Sequence, residues 1–182
     1  DPASPTAAAA GGCMLIRRET LQRAGGVEPI CDQLIDDCAM GRLIKAHGAI
    51  WLGLTDKTCS LRAYDTLDDI WDMVARTAFV QLDYSLLSLI GTMAGMTIIY
   101  LVPPVAVFYG LAYGRSDIAI IGGVSWAVMA VSYWPTLKLY GEPMWRTAWL
   151  PVAALLYTMM TISSALRHWQ GKGGGWKGRH YG

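Results

Sequence analysis

From Tyr84 to Gly114 the chain carries no Asp, Glu, Lys, Arg or His. That run is longer than the ~20 residues a helix needs to cross a bilayer. Two further uncharged stretches follow, Ile118–Leu137 and Thr147–Leu166. Inside a bilayer the backbone has no water to bond, so such segments must be helical. A buried core of a soluble helical protein is the competing reading, but three uncharged stretches of this length leave too little polar helix to enclose them. The expected membrane region is therefore 85–166, with helices over about 85–113, 118–137 and 147–166. Pro103-Pro104 predicts a kink or break late in the first. Trp126, Trp134, Trp145, Trp149 and Trp169 fall mainly near span ends, where amphipathic rings settle.

Composition divides the chain. Of 182 residues, 53% are hydrophobic and 16% charged, and the net charge is +1. Residues 1–84 hold eight Lys/Arg and twelve Asp/Glu, whereas residues 85–182 hold seven and two. The first part reads as an acidic soluble module and the second as membrane with basic flanks. The balance gives no reason to expect a nucleic-acid partner, and the apolar content excludes a disordered chain. Cys13, Cys31, Cys38 and Cys59 show no CxxC and no zinc spacing, so they read as reduced thiols. Asp1-Pro-Ala-Ser-Pro has neither the basic nor the apolar region of a signal peptide.

Within residues 1–84, Ala7–Ile16 reads as a Gly-containing loop feeding a buried strand. Arg17–Ala24 reads as a short helix stopped by Gly25 and Gly26. Asp36–His47 reads as a helix, with Met40, Leu43, Ile44 and His47 at three-to-four spacing and Gly48 after it. Ala49–Leu54 and Thr58–Leu61 are short strand candidates. Thr66-Leu-Asp-Asp fits a capping pattern opening a helix. Its stripe is Leu67, Ile70, Trp71, Val74, Ala78 and Leu82, which would pack on the module or lie in the membrane interface. The fold class expected is α/β for residues 1–84, then an all-α membrane region, then a basic Gly-rich tail at 167–182.

Asp36 and Asp37 begin a helix, where the dipole and free N–H groups favour a carboxylate. A carboxylate so placed can take a proton from a hydroxyl; the plainer role is a helix cap. Arg76 can neutralise a diphosphate leaving group. Trp176, Lys177 and Arg179 in the tail either touch a phosphate on the catalytic face or lie on anionic lipid.

The run Ala-Ala-Gly-Gly-Cys-Met-Leu-Ile-Arg-Arg-Glu-Thr-Leu resembles the second half of a family-two inverting glycosyltransferase. Gly-Gly, then Asp-Asp-Cys-Ala-Met-Gly-Arg-Leu, then Gly48 continue the likeness, as do Trp71-Asp-Met-Val-Ala-Arg-Thr-Ala-Phe-Val-Gln-Leu and Trp176-Lys-Gly-Arg-His-Tyr. More narrowly, the chain resembles the hopene-associated glycosyltransferases, from about Ala7 to Tyr181. The likeness implies a GT-A-like nucleotide-sugar fold. It makes Asp37 the catalytic base of a Glu-Asp-x-x-Leu motif, with Asp36 in place of the Glu and Met40 in place of the Leu. It assigns Gly11, Gly12 and Cys13 to the acceptor side and Arg76 to the leaving group. In the Gln-x-x-Arg-Trp motif, Met73 replaces the Gln and Thr77 the Trp. That departure argues against a processive polysaccharide synthase and for single-sugar transfer to a lipid.

The resemblance also implies partners: a nucleotide-sugar donor, a lipid acceptor of hopanoid, ceramide or carotenoid type, and membrane lipids. Divalent Mg or Mn would be held by an Asp-x-Asp in a nucleotide-binding half preceding Asp1, so the chain would be a fragment inactive alone. The implied location is the bacterial inner membrane, multi-pass, with the catalytic part cytosolic. The competing readings are a non-catalytic membrane anchor and an inactive remnant; the uncharged spans argue against a transporter. Three simple crossings put the tail outside, its basic residues favour the inside, and a re-entrant hairpin over Ser85–Tyr113 would return it. The sequence leaves these alternatives open.

Overall fold

A computed structural model describes residues 4, 6–59, 61, 64–172, 175–176 and 179–180. Among the described residues seven α-helices run in order: α1 Arg18–Arg23, α2 Asp36–Lys45, α3 Leu67–Gln81, α4 Leu86–Met96, α5 Val102–Ala112, α6 Ser116–Leu139 and α7 Leu150–Trp169. Short 3-10 turns lie at Glu28–Ile30 and Met144–Trp149. Among the described residues the only strands are the two-residue pair β1 Gly175–Trp176 and β2 Arg179–His180, antiparallel, with Gly175 opposite His180.

The α/β expectation for residues 1–84 is thus corrected: the described part of that segment holds helices and irregular backbone, with no strand. Ala7–Ile16 and Ala49–Leu54 form no ladder, and neither do the described residues of Thr58–Leu61. A strand needs a neighbour to receive its N–H and C=O groups, and among the described residues none lies beside these segments. The apolar residues that should have been buried there face outward, with Leu15, Trp51 and Leu61 almost fully exposed.

The local punctuation is realised. α1 ends with Gly25 in the left-handed region at φ 86°, its N–H on Gln22 O at 3.1 Å, while Gly26 N–H reaches Leu21 O at 2.9 Å. This paired bonding closes the last turn. α3 opens with a full capping box: Asp69 N–H donates to Thr66 Oγ1 at 3.2 Å, and Thr66 N–H donates to Asp69 Oδ2 at 3.1 Å.

Three helical segments are long and apolar enough to cross a membrane: Leu86–Ala112, Ser116–Leu139 and Met144–Trp169. Their apolar side chains mostly face outward, which suits lipid and not a soluble core. The first is continuous through Pro103-Pro104. Those prolines cannot donate to the carbonyls a turn earlier, and a π-turn at Thr97–Leu101 absorbs the disruption, with Val102 N–H on Thr97 O. α5 and α6 then pack as an antiparallel pair. A Cβ on Gly122 would sit 2.7 Å from Pro103 O and 2.9 Å from Val107 N, so only glycine permits this approach.

α4 and α3 instead pack on α7. Phe79, Leu89 and Ala165 form the core of that junction, with Leu82 and Met93 against it. α3 therefore packs on a membrane helix, by a face rotated from the predicted stripe: Val74, Ala75 and Phe79 are buried, and Leu67 is exposed.

Between α3 and α4, Asp83 and Tyr84 both take positive φ, 50° and 55°. Backbone in this region costs about 1–3 kcal/mol per non-glycine residue. Tyr84 is held there by its N–H on Phe79 O at 3.1 Å and by stacking on His168 at 4.3 Å between ring centroids. Tyr84 enters the first apolar segment and His168 leaves the last. Three straight crossings would separate them by roughly the 30 Å of a bilayer core. Their stacking sets the start of the first apolar segment beside the end of the last.

Candidate functional site

α2 carries the acidic pair at its first two positions. Asp36 Oδ1 accepts from Asp37 N–H at 2.9 Å, and Asp37 Oδ1 accepts from Cys38 N–H at 2.7 Å. The other Asp37 oxygen, Oδ2, accepts from the Gly11 N–H at 2.9 Å. Both carboxylate oxygens are thus oriented by backbone donors while the side chain stays partly open to solvent. A Cβ on Gly11 would lie 3.2 Å from Oδ2 and 3.3 Å from Asp37 Cβ, tighter than most such contacts.

The N-terminal segment is seated along α2. Gly41 lies against the backbone of Ala8, and Lys45 Nζ donates to Thr6 O at 2.6 Å. Cys13 N–H bonds Ala10 O at 3.3 Å, forming the turn through Gly11 and Gly12. The expected acceptor residues Gly11, Gly12 and Cys13 therefore form one exposed turn, and its first residue touches the expected base. Beside them, burial foremost and then the Asp37 charge push the Cys38 thiol above its ordinary pKa.

Arg76 lies elsewhere. It is half-buried near the middle of α3, which packs on α7, whereas α2 packs on the Glu28–Ile30 turn. The packing brings Asp37 to Gly11 but does not lay α2 along α3. Thr77 Oγ1 donates to Met73 O at 3.2 Å, so the two replaced motif positions bond each other within the helix. In the tail, Trp176 and Arg179 pair across the strands, and Lys177 lies outside the described residues.

Sequence reasoning missed the anchorage of α3. Trp71 Nε1 donates to Ser163 Oγ at 3.2 Å, Asp72 pairs with Arg167 at 2.8 Å, and Phe79 N–H donates to the buried Ser164 Oγ at 3.0 Å. The Ser163-Ser164 pair one turn before Arg167 was the available signal. Also missed was a cavity of about 920 Å³ between the Thr97–Leu101 turn, α5 and α6, lined by Ile99, Pro103, Ile121, Val128 and Tyr133 among others. Among the described residues no group of three or more His, Cys, Asp or Glu side chains converges. The residues described do not make a divalent-metal site.

Three apolar segments long enough to cross a membrane, one of them with an amphipathic helix docked along it, define a membrane protein. A family model for glycosyl transferase family 21 matches residues 5–182. The chain belongs to that family and is a membrane glycosyltransferase. No curated protein and no solved structure matches it. The family match supports glycosyl transfer; it does not extend to the hopene-associated group or to a GT-A fold.

Proposed function

We propose that this protein transfers one sugar from a nucleotide-sugar donor to the hydroxyl of a lipid, with inversion, and that Asp37 is the base. The observation that carries the reading is the Asp37 carboxylate, fixed by the Gly11 and Cys38 amides and open on its remaining side. In this mechanism Asp37 takes the hydroxyl proton. The oxygen attacks the anomeric carbon as the bond to the diphosphate breaks, and Arg76 neutralises the departing charge. Asp36 orients the Asp37 backbone through the bond to its N–H. Gly11, Gly12 and Cys13 line the approach of the acceptor, and Trp176, Lys177 and Arg179 are the tail residues this reading assigns to a phosphate.

A lipid acceptor is favoured by the three apolar helices and by the apolar cavity between α5 and α6, whose lining suits a hydrocarbon chain. A polyisoprenoid of hopanoid type is the acceptor to test first, with ceramide-like and carotenoid lipids next. The catalytic face is cytosolic in a bacterial inner membrane. A nucleotide-binding segment supplied outside residues 1–182 completes the donor site. The exposed Leu15, Trp51 and Leu61 give it an apolar surface to cover.

The test is Asp37→Asn in the full-length enzyme. Donor binding by equilibrium dialysis should persist, while sugar transfer should fall by about a hundredfold or more. Transfer at the wild-type rate overturns the base assignment. The second reading, a membrane anchor without catalysis, gains if the complete protein transfers no sugar from any nucleotide donor.

A further inference from the structure

We infer that Ser164 and Arg167, both on membrane helix α7, are positioning residues that fix Arg76 from within the membrane. The inference rests on the leaving-group role given to Arg76 above. Attachments to α7 bracket Arg76 on α3. About a turn before it, Trp71 Nε1 bonds Ser163 Oγ at 3.2 Å and Asp72 pairs with Arg167 at 2.8 Å. Within a turn after it, Phe79 N–H bonds Ser164 Oγ at 3.0 Å.

The second attachment is deeply enclosed. Ser164 is 3% exposed and Phe79 1%. The Phe79 ring stands edge-on to Tyr84, His168 and Trp169 at 5.4–5.7 Å between centroids. A buried hydroxyl that accepts from a defined N–H favours one placement of α3, because a shifted helix would lose that bond. The Asp72–Arg167 pair is exposed, so its contribution is to the register of α3 more than to stability. Farther along, α7 packs on α4 and on the Thr97–Leu101 π-turn. The guanidinium that meets the diphosphate is thereby referenced to the membrane helices. Displacing a charge-stabilising group by about 1 Å is enough to lower turnover by as much as ~100-fold.

The test uses the full-length enzyme in membranes, with UDP- and GDP-hexoses radiolabelled in the sugar and product counted in the organic-soluble lipid. Ser164→Ala should lower kcat about tenfold while the donor KM moves less than about twofold, and Ser164→Thr should restore most of the rate. Asp72→Arg and Arg167→Asp should each lower kcat, and the double exchange should recover it. Arg76→Gln, assayed in parallel, separates the two ideas. A dead Arg76→Gln beside wild-type kcat in Ser164→Ala and Arg167→Asp overturns this inference alone. Wild-type kcat in Arg76→Gln overturns the role on which it rests. Hydrogen exchange over residues 67–81 decides without a substrate: faster exchange in Ser164→Ala supports the anchorage, and unchanged protection overturns it. Should Ser164→Ala fail to insert, the exchange at the exposed Asp72–Arg167 pair carries the test.

Discussion

The Gly11 amide donates to Asp37 Oδ2 at 2.9 Å, joining a turn near the N-terminus to the head of a helix 26 residues later. A Cβ at Gly11 would press on Oδ2 and Asp37 Cβ at 3.2 and 3.3 Å, so the Asp37 side chain would have to give by a few tenths of an ångström. The same bond aims the carboxylate.

Gly11→Ala should therefore swing the Asp37 carboxylate and lower sugar transfer about tenfold in the full-length enzyme, with the protein still folded. Gly48→Ala is the control, because nothing lies within 4 Å of a Cβ at that position. Equal rates for the two variants would remove Gly11 from the site.

Cys38 reports on Asp37 without a substrate. Its thiol is held above its ordinary pKa by burial first and by the Asp37 charge next, so its thiolate forms only at higher pH. The stability that goes with the neutral thiol is present at low pH and fades as pH rises through the raised pKa. Maleimide labelling followed by mass spectrometry should give Cys38 a pH profile that moves downward in Asp37→Asn. A profile indifferent to that substitution means the carboxylate does not face the thiol.

The α5–α6 pair depends on Gly122. Gly122→Val forces atoms against Pro103 O and Val107 N, where even a Cβ would approach to 2.7 and 2.9 Å. Overpacking of this kind costs about 1–3 kcal/mol. The detergent-solubilised protein should show a lower Tm, and an unchanged Tm would show that the two helices separate without penalty.

The start of the first apolar segment and the end of the last lie side by side, since Tyr84 stacks on His168 and Asp72 pairs with Arg167. Native Cys13, which is exposed, and a cysteine at Lys172→Cys should both react with a membrane-impermeant maleimide from the same side of sealed vesicles. Labelling from opposite sides would contradict the packing of α3 on α7.

Much of the candidate site was legible in order along the chain. The acidic pair begins a helix, Thr66 and Asp69 cap another, and Gly25 ends a third, because each depends on neighbours within a few residues. The α/β reading failed for the opposite reason. A short apolar run such as Ala49–Leu54 becomes a strand only beside another strand, and here Trp51 and Leu54 face outward. The stripe of α3 was read from its own periodicity, but Phe79 became its most buried residue because α7 lies on that side.

Three apolar lengths, an acidic N-terminal part and their helix boundaries follow from composition and short-range pattern, since apolar segments in a bilayer have helix as their way to bond the backbone. Which helices touch, and on which face the chain emerges, was left open by counts of span and charge. Contacts between residues 85 or more positions apart, Phe79 with Ser164 and Trp71 with Ser163, decided the first of these. Such contacts arise only when whole faces fit together, and no local stretch of sequence carries that information.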